Sequence, residues 1–134
     1  MHEPPAKATQ AAKKEGRRHT VYVIHGKRGP VYVGRTNQPL QNRLRGHFFG
    51  RPMHRIIDID RVTLVESAEL PTEADMYLYE IYYINKLKPP LNADDKALDG
   101  LTVGLPPLEF GPFECKLMEK WKREAADRKR EWSE

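Results

Sequence analysis

Glu80 is the side chain in this sequence hardest to reconcile with packing alone. On a helix, its neighbours at i−4, i−3, i+3, i+4 and i+7 are Met76, Tyr77, Tyr83, Ile84 and Leu87. That apolar stripe turns the carboxylate toward the protein. A buried carboxylate is costly unless a cation, a donor or a metal ion compensates it. Two readings follow: a structural partner such as Arg43, or a ligand for Mg²⁺, which uses one or two carboxylates and otherwise keeps its waters. Arg43 and His47 form a second constellation, one turn apart on one helix face. The arginine can hold a phosphate bidentately and the histidine can exchange a proton with an oxygen. The plainer alternative is that His47 only hydrogen-bonds at the helix edge. Tyr22 and Tyr32 lie in mid-strand, where tyrosines are usually half-buried packing groups.

Those residues must be positioned by a few elements. Thr20 to His25 (TVYVIH) reads as a strand, residues 26–30 as a turn, and Val31 to Gly34 as a second strand. The turn length leaves open whether Tyr22 and Tyr32 share a face. Gly34 ends the second strand and lets a backbone approach closely. Thr36 or Asn37 can cap a helix that tolerates Pro39 in its first turn and runs to about Phe49, with Leu40, Leu44, His47 and Phe48 on one stripe. Arg55 to Glu66 predicts one or two further strands. A second helix opens after Pro71, with Thr72 and Asp75 as a capping box, and stops near Leu87 before Pro89-Pro90. The order β-β-α-β-α, followed by a C-terminal helix, predicts an α+β fold: a small three-stranded, mainly antiparallel sheet covered by helices. The expected organisation is a disordered basic tail over 1–18, a globular domain over 19–95, an irregular Pro/Gly-rich connection over 96–112 and a charged helix over 113–134. In that last helix Leu117, Trp121 and Ala125 share one side.

Composition narrows the setting. A chain of 134 residues suits one domain with tails. The single Cys115 excludes an internal disulfide and a multi-cysteine zinc site. No apolar run reaches membrane-spanning length, and the N-terminus lacks a signal-type apolar stretch, so a cytoplasmic protein with no membrane partner is expected. The net charge is +4. Between residues 19 and 112 acids and bases cancel, but Lys27, Arg28, Arg35, Arg43, Arg45, Arg51 and Arg55 precede any acid, and acids dominate from Asp58 to Glu80. A basic flank of this kind suits a polyanion as well as it suits plain solvation.

Taken together, V-Y-V at 21–23, V-Y-V-G at 31–34, R-x-x-x-H at 43–47, Y-L-Y-E-I-Y-Y-I-N-K at 77–86 and P-P-L-N at 89–92 resemble the GIY-YIG nuclease superfamily, including its free-standing phage, mobile-element and repair-type endonucleases. The resemblance covers roughly residues 19–95 in five ordered blocks. It departs in the first motif, where Thr20 and Val21 replace the glycine and its neighbour. It implies an endonuclease that hydrolyses phosphodiester bonds in DNA with one divalent ion, Mg²⁺ or Mn²⁺. Tyr22, Tyr32, Arg43, His47 and Glu80 would be its catalytic residues. Tyr22, or a water beside it, would be the general base. Arg43 would stabilise the charge on the phosphoryl group, and Glu80 would hold the metal. Arg35, Arg45 and Asn92 are the implied nucleic-acid contacts. Arg35 would also favour the phenolate of the active-site tyrosine, and Asn92 would hold the site's loop or a phosphate. Two other readings compete: a nucleic-acid-binding module that keeps the nuclease fold with little turnover, and an interaction protein acting through its C-terminal helix. Neither a target sequence nor an oligomeric state is readable.

Overall fold

In a computed structural model describing residues 18–50, 57–92 and 101–133, the apolar run at 21–24 forms the middle of a sheet. Strand β1 (Thr20–Gly26) pairs antiparallel with β2 (Gly29–Thr36) on one side and β3 (Leu64–Glu69) on the other. A strand flanked on both edges and covered on both faces needs apolar groups at successive positions, hence V-Y-V-I rather than strict alternation. A fourth strand, β4 (Gly111–Pro112), pairs with β3, giving the order β2-β1-β3-β4. The sheet is therefore antiparallel with four strands rather than the three expected. The extra strand has only two residues and is created by pairing, not by propensity.

Helix α1 (Leu40–Phe49) covers one face, where Tyr22, Ile24 and Tyr32 meet Leu40, Leu44 and Phe48. Helix α2 (Glu73–Leu87) covers the other, where Val21, Val23 and Val33 meet Met76 and Tyr83. Each face is thus served by alternate residues of the same two strands, the period-two rule in operation. Thr72 caps α2 by accepting from the Asp75 N–H at 3.1 Å, as its sequence signature requires. The start of α1 differs from expectation. Pro39 occupies the cap position without a side-chain bond, while Thr36 Oγ1 accepts from the Gln38 N–H at 3.0 Å in a local turn. The segment expected as one or two strands contains a 3₁₀ turn (Ile59–Arg61) before β3 begins at Leu64, and residues 51–56 lie outside the described ones.

The chain after residue 100 binds both faces of the domain. The Tyr79 hydroxyl donates to the Pro106 carbonyl, and the Leu108 N–H donates to the Tyr83 hydroxyl, both at 2.8 Å. β4 then crosses the β3 edge. Helix α3 (Met118–Ser133) returns on the α1 side, where buried Trp121 stands edge-on to Phe48 and Phe49. Among the described residues no helix is long and apolar enough to cross a membrane. The basic tail expected over 1–18 lies almost wholly outside the described residues.

Candidate active site

Strand register decides whether the two tyrosines can cooperate. Tyr22 lies opposite Gly34 and Tyr32 opposite Ile24, so both rings project from the same face of the sheet. The strands continue to a tight Lys27-Arg28 turn, and the pairing shifts beyond Ile24, confining the irregularity to the hairpin tip. The two ring centroids are 6.2 Å apart. Gly34 makes this possible: a Cβ there would meet the Tyr22 hydroxyl oxygen, lie 2.5 Å from Tyr22 Cζ and 2.8 Å from Tyr32 Cε2. It is the side chain of the neighbouring strand, not a backbone, that lies across the glycine. Gly34 also sits two residues before the strand ends, not at its end.

Helix α1 delivers the next two groups. His47 lies within the buried stripe and its Nε2 is 2.7 Å from the Tyr22 hydroxyl. Its ring stands edge-on to Tyr32, centroids 4.9 Å apart. One turn earlier, Arg43 Nε donates to the Tyr22 oxygen at 3.3 Å. The Tyr22 oxygen accepts from the Arg43 guanidinium, and its O–H can in turn donate to His47 Nε2 when that nitrogen carries no proton. Burial pushes the Tyr22 phenol above its ordinary range, Tyr32 and Glu80 add to the rise, and Arg43 acts against it. Burial alone would lower the Arg43 guanidinium, but the oxygens of Tyr22 and Tyr32 more than offset this and raise it. The cation acting on the Tyr22 phenol is therefore Arg43, whereas the family resemblance assigned that task to Arg35.

Arg35 is occupied elsewhere. It alternates with Gly34 and so projects toward α2, where its Nε donates to Glu80 Oε1 at 3.1 Å. Its guanidinium carbon also lies 4.3 Å from the centroid of the Tyr77 ring. Arg35 thus fills the role of partner to Glu80 for which the sequence suggests Arg43. Periodicity within a helix cannot say which strand residue will face it. Tyr77 was missed as part of the site, although its position three residues before Glu80 places both on one helix face. Glu80 is half-buried, its side chain 20% exposed, and its charge adds to the rise of the Tyr22 phenol.

Asn92 has 3% of its surface exposed, leaving little for a nucleic acid. Its Oδ1 accepts from the Val33 N–H at 2.7 Å and its Nδ2 donates to the Val33 carbonyl at 2.9 Å. The asparagine thus completes the backbone bonds of β2, the outer strand that carries Tyr32, Gly34 and Arg35. Arg45 is exposed on α1, its guanidinium 5.8 Å from the Phe49 ring centre, and Arg128 of α3 reaches the same ring at 5.0 Å. A groove of about 740 Å³ opens instead beside the hairpin turn, lined among others by Lys27, Arg28, Asp58 and Arg61, and shares no residue with the tyrosine cluster.

Among the described residues there is no group of three or more His, Cys, Asp or Glu that could enclose a metal ion. A single carboxylate suits an ion of the Mg²⁺ type that keeps most of its waters and takes further oxygens from a phosphate. It does not suit a closed zinc or calcium cage.

A family model described as the GIY-YIG catalytic domain matches residues 18–92, over half of the chain. Neither a curated protein nor a solved structure matches the chain.

Proposed function

The chain belongs to the GIY-YIG catalytic-domain family, and on that basis we propose that it is a divalent-metal-dependent endonuclease that hydrolyses phosphodiester bonds in DNA. Membership implies a nuclease-type fold and a nucleic-acid substrate. The observation that carries the finer reading is the bonded chain Arg43–Tyr22–His47, with Glu80 acting on the same phenol.

A phenol held neutral by burial is a poor base by itself. It becomes competent if it passes its own proton onward as it receives another. His47 Nε2, 2.7 Å away, is placed to receive that proton. The Tyr22 oxygen would then take a proton from the attacking water while the water oxygen bonds to phosphorus and the ester oxygen departs. Arg43 has two tasks in this scheme. It favours negative charge on the Tyr22 oxygen during the transfer, and its remaining N–H groups can stabilise charge growing on the phosphoryl oxygens. Tyr32 shares Arg43 and packs against His47, holding both in place. Glu80 is the proposed metal ligand, and a divalent ion bound there would supply Lewis-acid stabilisation of the phosphate and leaving oxygen. Arg45, and Arg35 once free, are the proposed phosphate contacts.

One observation favours the second reading, a binding module with little turnover: Tyr22 and His47 have no exposed surface. Both readings meet in one assay. Purified protein is expected to nick supercoiled plasmid in Mg²⁺ and not in EDTA, and Tyr22→Phe to slow nicking by ~10²–10⁴-fold, the usual worth of a positioned proton acceptor. Equal cleavage by Tyr22→Phe would remove the tyrosine from the chemistry. Binding without any metal-dependent nicking would favour the module.

A further inference from the structure

Arg35 makes two contacts whose effect on the metal site the chemistry above leaves out. Its Nε donates to Glu80 Oε1 at 3.1 Å, and its guanidinium rests on the face of Tyr77. The two charged side chains are 31% and 20% exposed, so their attraction is screened less than that of a surface pair. A divalent ion approaching Glu80 therefore meets a fixed positive charge already bonded to one carboxylate oxygen. Among the described residues the site otherwise holds too few acidic groups to bind such an ion strongly, since none forms a three-ligand cluster. Ion binding then needs two things at once: oxygens from a phosphate, and withdrawal of the guanidinium.

A nucleic-acid backbone can supply both. Phosphate oxygens complete a hydrated ion's shell, and an arginine released from a carboxylate is a ready bidentate phosphate ligand. Tyr77, 40% exposed, offers the released guanidinium a surface to remain stacked upon while it turns outward. We infer that Arg35 is the resident cation of Glu80, displaced when DNA and a divalent ion bind together, so that each strengthens the binding of the other. This rests on the proposed metal role of Glu80. It makes Arg35 a positioning residue, one that keeps the carboxylate neutralised and the ion weakly held until substrate is present.

The test is a Mn²⁺ titration of the full chain, read from the paramagnetic resonance signal of free Mn²⁺. All proteins carry Tyr22→Phe so that added duplex is not cut. Without DNA, Arg35→Gln is expected to bind Mn²⁺ roughly tenfold more tightly than the parent, within the ~5–150-fold range typical of coupled sites. Arg35→Met provides a second neutral variant in case the glutamine protein folds poorly. Arg35→Lys, which keeps the charge, should stay within about threefold of the parent, well inside the loss of a tenfold coupling. A short duplex should strengthen Mn²⁺ binding to the parent more than to Arg35→Gln. Glu80→Gln should lose the site. If Glu80→Gln loses it while the neutral Arg35 variants bind no more tightly than the parent, the inference fails and the metal reading stands. Equal strengthening by duplex in parent and Arg35→Gln also overturns the coupling. If Glu80→Gln binds Mn²⁺ as the parent does, the metal reading fails, and the inference with it.

Discussion

A phenol without exposed surface resists ionisation because burial penalises its charged form, and that property can be read without any substrate. The Tyr22 pKa in the folded protein lies above its value in the unfolded chain, about 10. The folded state therefore retains a proton that the unfolded state releases in strong alkali. Tyr22 contributes stability that is fully present below about pH 10 and is lost as pH rises beyond it. The expected result is a steeper fall in unfolding free energy for the wild type than for Tyr22→Phe between about pH 9 and 11. Using the difference between the two proteins removes the contribution of Tyr79, whose pKa is also raised by burial and neighbouring Tyr83. Parallel pH curves would refute the burial-locked phenol. Gly34 gives a second prediction at this scale. Ala there drives a methyl group into Tyr22 and Tyr32, so thermal or urea unfolding should show a loss of ~1–3 kcal/mol from overpacking. Any nicking should fall together with stability, because Tyr22, the proposed base, moves.

At the scale of elements, α2 was legible almost to the residue. Its cap at Thr72, its apolar stripe and its stop before Pro89 are local signals. The hairpin was equally plain as a pair of strands, but its register was not. Register depends on where the irregularity falls, and here it falls at the tip, leaving Tyr22 and Tyr32 on one face. The Arg35–Glu80 pair was illegible for a related reason: neither strand alternation nor helix period specifies which face of the sheet a given helix will cover. β4 had no local signal at all, being a Gly-Pro pair held by Ser67 and Glu66 on the neighbouring strand. Trp121 of α3 tests whether the C-terminal elements are integral to the domain. It is buried against Phe48 and Phe49, next to the helix bearing Arg43 and His47. Trp121→Ala should lower unfolding free energy by ~3–5 kcal/mol in urea titrations. A change below about 1 kcal/mol, the size of a surface substitution, would mean that α3 is only loosely attached.

For the whole molecule, charge is arranged rather than abundant. A net charge of +4 is modest, yet Arg43, Arg45 and the hairpin's Lys27 and Arg28 all precede the first acidic side chain of the domain, Asp58. A surface offering a few such cations should neutralise roughly three or four phosphates, so log affinity for duplex DNA should fall with log salt at a slope of about −3. A slope near zero would argue against backbone recognition. The central claim is that Glu80 belongs to a reaction and not to a binding surface, and one comparison tests it most directly. Wild type and Glu80→Ala are compared for plasmid binding and for Mg²⁺-dependent nicking at the same protein concentration and salt. Comparable plasmid binding in EDTA is expected, with Mg²⁺-dependent nicking by the wild type that EDTA abolishes and no detectable nicking by Glu80→Ala. Nicking by a folded Glu80→Ala protein at the wild-type rate, or none by either protein in Mg²⁺ or Mn²⁺, would contradict it.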